Sequence, residues 1–591
     1  VTIQNQLHFH ALLVMIANTK VSFLLFFCTF ALHYGYIHDQ CSTIVILQTL
    51  IFMTKHKSFI ILLLVVFSSV VLAQFKLDEQ SAKLVYTLNA VNSLYVDSVK
   101  ENNLVESSIV GMLKDLDPHS VYIPKDEVER MNEPLEGSFY GVGIQFQMLE
   151  DTLYVIQTIS GCPAAKVGVL PGDRMVFIED TLIAGVKMQN TAIMKKLRGP
   201  KGTVVRVKML RRGVPELIEF SITRDKIPIY SVDASYMIDK EVGYIKINSF
   251  GATTYREYLE ALDKLRKAGM KDLIIDLQDN GGGYMNAATD LANEFLQQGN
   301  LIVYTKGVKQ PRTSINATGR GEFSNGRLIV LTNEYSASAS EIFSGAIQDW
   351  DRGVVVGRRT FGKGLVQRPV ILPDGSMIRL TTARYYTPSG RCIQKSYKDG
   401  VDKYEKDILD RYKRGEFQHA DSIHFADSLK YKTLRLSRTV YGGGGIMPDV
   451  FVPLDTTYYT DYLRKIIAKG IVNKTTMQYI DKNRNAITEQ YKTFDTFATS
   501  YSIPQSLFDD MVSAATKEKI SFIQEQFDKS KPYLSTQIKA LIATDIWERD
   551  AFYRIVNTEN AIVKKALELF KQPGAYNKLF PSSTNIKKTG K

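Results

Sequence analysis

Apolar positions along this chain recur with two periods, and the switches between them divide it. Leu84, Leu88, Val91 and Tyr95 fall three and four residues apart, and Ile109, Met112 and Leu113 continue the pattern. This spacing predicts two helices, the second broken at Asp117-Pro118, with Pro124 opening a third. From Gly137 the period becomes two. Residues 141–146, 153–156, 176–178, 204–210 and 217–222 predict strands, and 190–197 predicts a helix closed by Gly199. Then come unbroken apolar runs at 242–247, 273–277, 328–331, 354–356 and 378–383. Such runs suit strands covered on both faces. Helical patterns lie between them. Tyr258, Leu259, Leu262 and Leu265 mark one over 255–268, a second covers 285–296, and Ile342, Phe343, Ala346, Ile347 and Trp350 mark a third. Alternating strands and helices imply an α/β core. Residues 395–437 are polar and charged and predict a helical excursion on the surface, without chemistry. Residues 460–591 are helical, with a polar, basic tail expected to be mobile from Pro573.

The first 73 residues differ. Met53-Thr54-Lys55-His56-Lys57 precedes an apolar run and then Val71-Leu72-Ala73. A short basic stretch, an apolar core and a small-residue site make an export signal. Translation is therefore expected to start at Met53, with cleavage after Ala73. Residues 1–52 would then be an over-extended reading of the gene. The alternative is an uncleaved leader that tethers the chain to a membrane. The expected organisation is 1–73 leader, 74–136 helical, 137–226 β-rich, 227–459 α/β core and 460–591 helical.

Composition narrows the function classes. The 591 residues are 45% hydrophobic and 23% charged, which suits a globular protein of several domains. The net charge of +12 is spread thinly, and no nucleic-acid reading motif accompanies it. Beyond the leader only Cys162 and Cys392 remain, so no disulfide framework or metal spacing is present; two free buried thiols are expected, the alternative being that the two pair in an oxidising compartment. No cofactor is implied. His119, His419 and His424 are the only histidines beyond the leader, and none lies in a glycine-rich setting. A Ser-His hydrolase using His119 is thus the weaker reading.

The candidate chemistry lies in 336–367, SASASEIFSGAIQDWDRGVVVGRRTFGKGLVQ. A serine at a helix start faces unpaired backbone N–H groups, which can hold an oxyanion. It needs a base, and a desolvated lysine can be one. On a strand Lys363, Leu365 and Gln367 share a face, so Gln367 can orient the Lys363 amine without adding charge. Taken alone, Ser338 and Glu341 also form a capping box, and an isolated Gly-Lys-Gly is a turn.

The SASASEI run followed by GRRTFGKGLVQ resembles the carboxyl-terminal processing peptidases, a family of Ser-Lys proteases. The resemblance implies Ser338 as nucleophile, Lys363 as general base and Gln367 as its partner. DLQDNGGG at 276–283 is similar to the family's DLRNNPGG, which implies an oxyanion hole from Gly282, with Gly283 in reserve, and the N–H of Ala339. LDPHSVYI and YYTPSGR are further similar segments. YGVGI, AAKVGVLPGD and LRGPKGTVV in this order resemble a bacterial PDZ domain. Backbone N–H groups of Gly141, Val142, Gly143 and Ile144 would then meet a terminal carboxylate while the peptide adds as a strand. Ile144, Phe146 and the 190–197 helix would line the side-chain pocket.

The implied fold is multidomain α/β, a crotonase-like (ClpP-like) protease core with an inserted β-rich PDZ domain and helical N- and C-terminal regions. The implied function is an exported serine endopeptidase acting on proteins with free C-termini, periplasmic or on the outer side of the inner membrane. No metal is implied, and the C-terminal helices would serve a homodimer or an adaptor. The alternative is an inert PDZ scaffold.

Overall fold

The computed structural model describes residues 78–547 and 549–580. The leader and the expected start at Gln74 lie outside the described residues. The chain divides into two units, 1–107 and 108–591. In the first, Glu79–Leu94 is a helix capped by the Asp78 side chain, which accepts from the Gln80 and Ser81 amides. Leu84 and Val85 on it remain exposed.

In the second unit a six-stranded sheet runs Val232–Met237, Val242–Ile247, Asp272–Asp276, Leu328–Thr332, Val354–Gly357 and Val450–Phe451. The first strand is antiparallel to its neighbour and the rest are parallel. The apolar runs are explained by burial on both faces. Ile245, Ile275 and Val330 point to helices Thr254–Lys267, Met285–Asn293 and Ala339–Asp349. Tyr244, Ile274 and Ile329 point to helix Ala561–Lys571. Helix Ala561–Lys571 therefore completes the core. The tail does not begin at Pro573 either: Ala575–Lys578 is helical, and Tyr576 is buried, with its hydroxyl donating to Leu328 O at 3.0 Å. An aromatic residue that reaches the sheet overrides the polar composition around it.

A second sheet joins Val121–Ile123, Met377–Tyr386, Leu301–Lys306 and Thr313–Asn316, with Leu365–Ile371 paired along Met377–Tyr386. The inserted domain is a separate sheet of Ile144–Leu149, Thr152–Thr158, Arg174–Ile178, Val204–Leu210 and Ile218–Thr223, packed against helix Asn190–Leu197. A helical bundle over 461–556 has its own core of Leu463, Phe497, Leu507 and Ile538. It docks on the inserted domain through charge: Asp481 pairs with Arg174 at 2.9 Å, and Lys474 with Glu150 at 3.1 Å. The 395–437 excursion is only partly helical, at Val401–Lys413; the rest is short turns and the hairpin Lys430–Lys432 with Thr439–Tyr441. Cys162 is buried as expected, but Cys392 is only half-buried; both are free.

Candidate active site

Two loops at the C-terminal ends of parallel strands meet here. Strand Leu328–Thr332 leads through Asn333–Ala337 into the serine helix, and strand Asp272–Asp276 leads into the glycine loop. The three serines of the run do different things. Ser336 donates to Leu277 O at 2.7 Å, and Ser340 donates to Asn280 O at 2.9 Å. Both staple the turn to the glycine loop. Asp279 and Asn333 add a reciprocal pair, with bonds of 2.9 and 2.8 Å. Ser338 between them sits at φ 56°, ψ −111°. A non-glycine residue there is strained, and only a turn fixed on both sides keeps it so.

Glu341 was legible only as a cap, and the structure gives it a larger part. Its carboxylate is fully buried and accepts four bonds. Ser338 N and Lys363 N donate to Oε2 at 2.8 and 2.9 Å; Gly362 N and Thr360 Oγ1 donate to Oε1 at 2.7 and 2.5 Å. Burial pushes its pKa up against those donors. One side chain thus ties the serine turn to the lysine loop. Tyr385 adds a second tie, its hydroxyl lying 3.0 Å from Ser338 O and 2.8 Å from Lys363 O.

Lys363 precedes the strand Leu365–Ile371 instead of lying on it, and a bulge follows at Val366/Gln367. The expected partnership forms all the same: the Lys363 amine donates to Gln367 Oε1 at 3.0 Å. Gln367 Nε2 donates in turn to the His119 carbonyl. Burial lowers the Lys363 pKa most, and the Arg379 charge adds to this; Asp117 and Glu341 oppose it. Lys363 and Ser338 line one cavity of about 500 Å³ together with Gly281, Gly282 and Gly283. In this state the amine bonds Gln367 and not the serine.

The glycine loop closes against the serine. A Cβ on Gly282, at φ +101°, would lie 2.7 Å from Ser338 Cβ and 2.9 Å from Ala339 N. Only glycine fits so close. Its own N–H, however, donates to Asn280 Oδ1 at 2.9 Å. Of the two expected oxyanion donors, Gly282 is therefore engaged elsewhere, while Ala339 stands at the first turn of the serine helix. A Cβ on Gly283 would strike Phe250 O at 2.1 Å.

Sequence reasoning offered 117–119 only the weaker Ser-His reading through His119 and gave 395–437 no chemistry, and the structure brings both to the site. Asp117 accepts from the His119 and Ser120 amides at 2.8 and 3.0 Å. His119 Nε2 lies 2.7 Å from Tyr404 OH, and burial first, then the Lys363 charge, lower its pKa to about 4. A ring held by Tyr404 does not form a triad with Ser338. Lys395 sits between the Phe361 and Tyr404 rings, 4.0 and 4.1 Å from their centroids. It thereby holds the residue two before Lys363. No local pattern marks such partners, because they meet only in the fold.

In the inserted domain, Gly141, Val142, Gly143 and Ile144 line a cleft of about 110 Å³ with Phe146 and Met194. Val142 O accepts from Ala164 N at 2.8 Å, and Gly143 O from Ile159 N at 3.0 Å. A trans peptide sets N–H opposite the preceding C=O. The Gly143 and Ile144 amides therefore face away from those partners.

Residues 241–405 match peptidase family S41, 141–222 a PDZ domain, 68–127 the N-terminal domain of the activating protease CtpB, and 462–548 a family of unknown function. A carboxy-terminal-processing protease of Bartonella bacilliformis is 36% identical over 321 residues, 54% of this chain and 73% of its own. This chain belongs to the carboxy-terminal-processing protease family. Carboxy-terminal processing protease CtpA of Bacillus subtilis is 32% identical over 348 residues, 59% of this chain and 73% of its own. A solved photosystem II D1 C-terminal processing protease is 27% identical and covers 54% of this chain and 91% of its own, with a TM-score of 0.32. The protein is thus a serine-type, PDZ-containing carboxy-terminal processing protease, with the mixed core and helical C-terminal region expected of it.

Proposed function

We propose that this protease is exported and cuts proteins near their C-termini by a Ser-Lys mechanism. Ser338 attacks the scissile carbonyl. Lys363, neutral, takes the serine proton and returns it to the leaving amine. Gln367 orients Lys363 without charging it. The observation that carries this reading is the Glu341 carboxylate, which holds the Ser338 and Lys363 amides at 2.8 and 2.9 Å beside one cavity. A charged base such as arginine, or a lysine in water, would not serve; burial supplies the neutral form. Ala339 N–H is the first oxyanion donor. Gly282 N–H becomes the second on leaving Asn280, so the present state is a resting one. The Gly141–Ile144 loop takes the substrate's terminal carboxylate. Export rests on the 53–73 pattern and puts the enzyme in the periplasm or on the outer side of the inner membrane.

The test is peptide cleavage by Ser338→Ala and Lys363→Arg. Each should lose about 10²–10⁴-fold or more in kcat/KM. Undiminished cleavage by either removes the mechanism. A mature N-terminus mapped by mass at Gln74 supports export, and retention of Ile61 rejects it.

A further inference from the structure

The catalytic cavity holds two cationic side chains and no carboxylate: Lys363 and Arg379 are the charged residues among those lining it. Lys363 has Gln367. Arg379 lies on strand Met377–Tyr386, opposite Pro369 on one side and Val121 on the other, with Met377 two residues before it on the same face. Among the described residues it makes no ion pair and no side-chain hydrogen bond. A guanidinium half-shielded from water and left without an acceptor is disposed to take a carboxylate through a two-pronged bond. The groups that face Lys363 are otherwise spoken for. Glu341 holds four donors, Asp117 holds the Ser120 hydroxyl and two amides, and His119 holds Tyr404.

We propose that Arg379 is a specificity-determining residue that binds a carboxylate of the substrate beside the scissile bond. The proposal rests on the Ser338–Lys363 reading. The carboxylate is either an Asp or Glu side chain near the cut or the α-carboxylate of a short C-terminal stretch. Arg379 is also the second-largest influence lowering the Lys363 pKa. Its removal should leave Lys363 protonated to higher pH.

The experiment compares kcat/KM for peptides carrying Glu or Gln at each position flanking the cut, each made as free acid and as C-terminal amide. Wild type should prefer one carboxylate over its amide by about tenfold or more. A Glu-over-Gln preference identifies a side chain; an acid-over-amide preference confined to short stretches identifies the terminus. Arg379→Gln should erase the preference and move the rising limb of the pH profile upward, while Arg379→Lys keeps both. Absence of any preference in wild type overturns the proposal even if Arg379→Gln fails to fold. So does a preference unchanged in Arg379→Gln. Either failure leaves Ser338→Ala inactive; failure of the Ser-Lys reading would instead leave that variant active.

Discussion

Glu341 Oε2 accepts the backbone N–H of Lys363 at 2.9 Å, across 22 residues of chain. The same oxygen accepts the Ser338 amide at 2.8 Å. The separation of the proposed nucleophile and base is therefore held by this carboxylate, with the Tyr385 hydroxyl as a second tie, and not by two independent loops. Glu341→Gln keeps the shape but turns an NH₂ toward amide donors. We expect a stability loss of about 2–4 kcal/mol and a fall in kcat with little change in KM. Urea titration and steady-state kinetics on the same preparation check this. A variant that keeps full kcat would show that the tie does not position the pair.

Gly282→Ala tests the close approach of the glycine loop. Its Cβ would come 2.7 Å from Ser338 Cβ, at a φ of +101° that alanine resists. The strain costs about 1–3 kcal/mol, and the loop or the serine must move. Cleavage should fall sharply while binding of a tail peptide to the PDZ domain is kept. Calorimetric titration with that peptide separates the two effects.

Much of the core could be read from the chain because its strands are apolar on both faces. Runs such as 273–277 and 328–331 have few other uses. Ser338, Lys363 and Gln367 were legible from a motif; alternation also predicted that Lys363 and Gln367 meet, but they do so with Lys363 ahead of the strand and across a bulge, so the contact does not rest on the alternation. Glu341 was visible but ambiguous, since a capping box and a tie between two loops have the same local sequence. His119, Tyr404 and Tyr576 were not legible as partners. His119 meets Tyr404 across 285 residues, and Tyr576 meets Leu328 across 248. No periodicity encodes contacts of that separation.

Lys363 and Gln367 make a pH prediction. In the proposed mechanism the amine must be neutral to act, so activity should rise as pH passes through its pKa, which lies below the ordinary lysine value of 10.5. Gln367→Glu places an anion against the amine and should raise that pKa by about 1–3 units. The rising limb of kcat/KM then moves up by the same amount, and activity at neutral pH drops. The two fold states give the sign for stability. With the folded pKa lowered, the unfolded chain binds more protons between that value and 10.5, so Lys363 makes wild type gain stability with pH across this window. The Glu variant should narrow that window. An unmoved limb would separate Gln367 from the base.

His119 gives the last test, because its ring and its backbone do separate work. The carbonyl holds Gln367 Nε2, and any residue supplies a carbonyl. The ring holds Tyr404 OH at 2.7 Å and has a pKa lowered to about 4, with Asp117, Lys363 and Lys395 as the charges acting on it. His119→Ala should therefore weaken the fold by about 1–2 kcal/mol and reduce cleavage modestly, without abolishing it. A Ser-His mechanism requires abolition instead. The ring also sets an acid limit. Between pH 6.5 and about 4 the unfolded histidine binds a proton that the folded one refuses, so stability falls as pH falls through that window. Denaturation midpoints measured from pH 7 to 4 should slope less in His119→Gln than in wild type. Equal slopes would mean that the ring takes up its proton in the fold as readily as in the unfolded chain, and that burial does not hold it neutral.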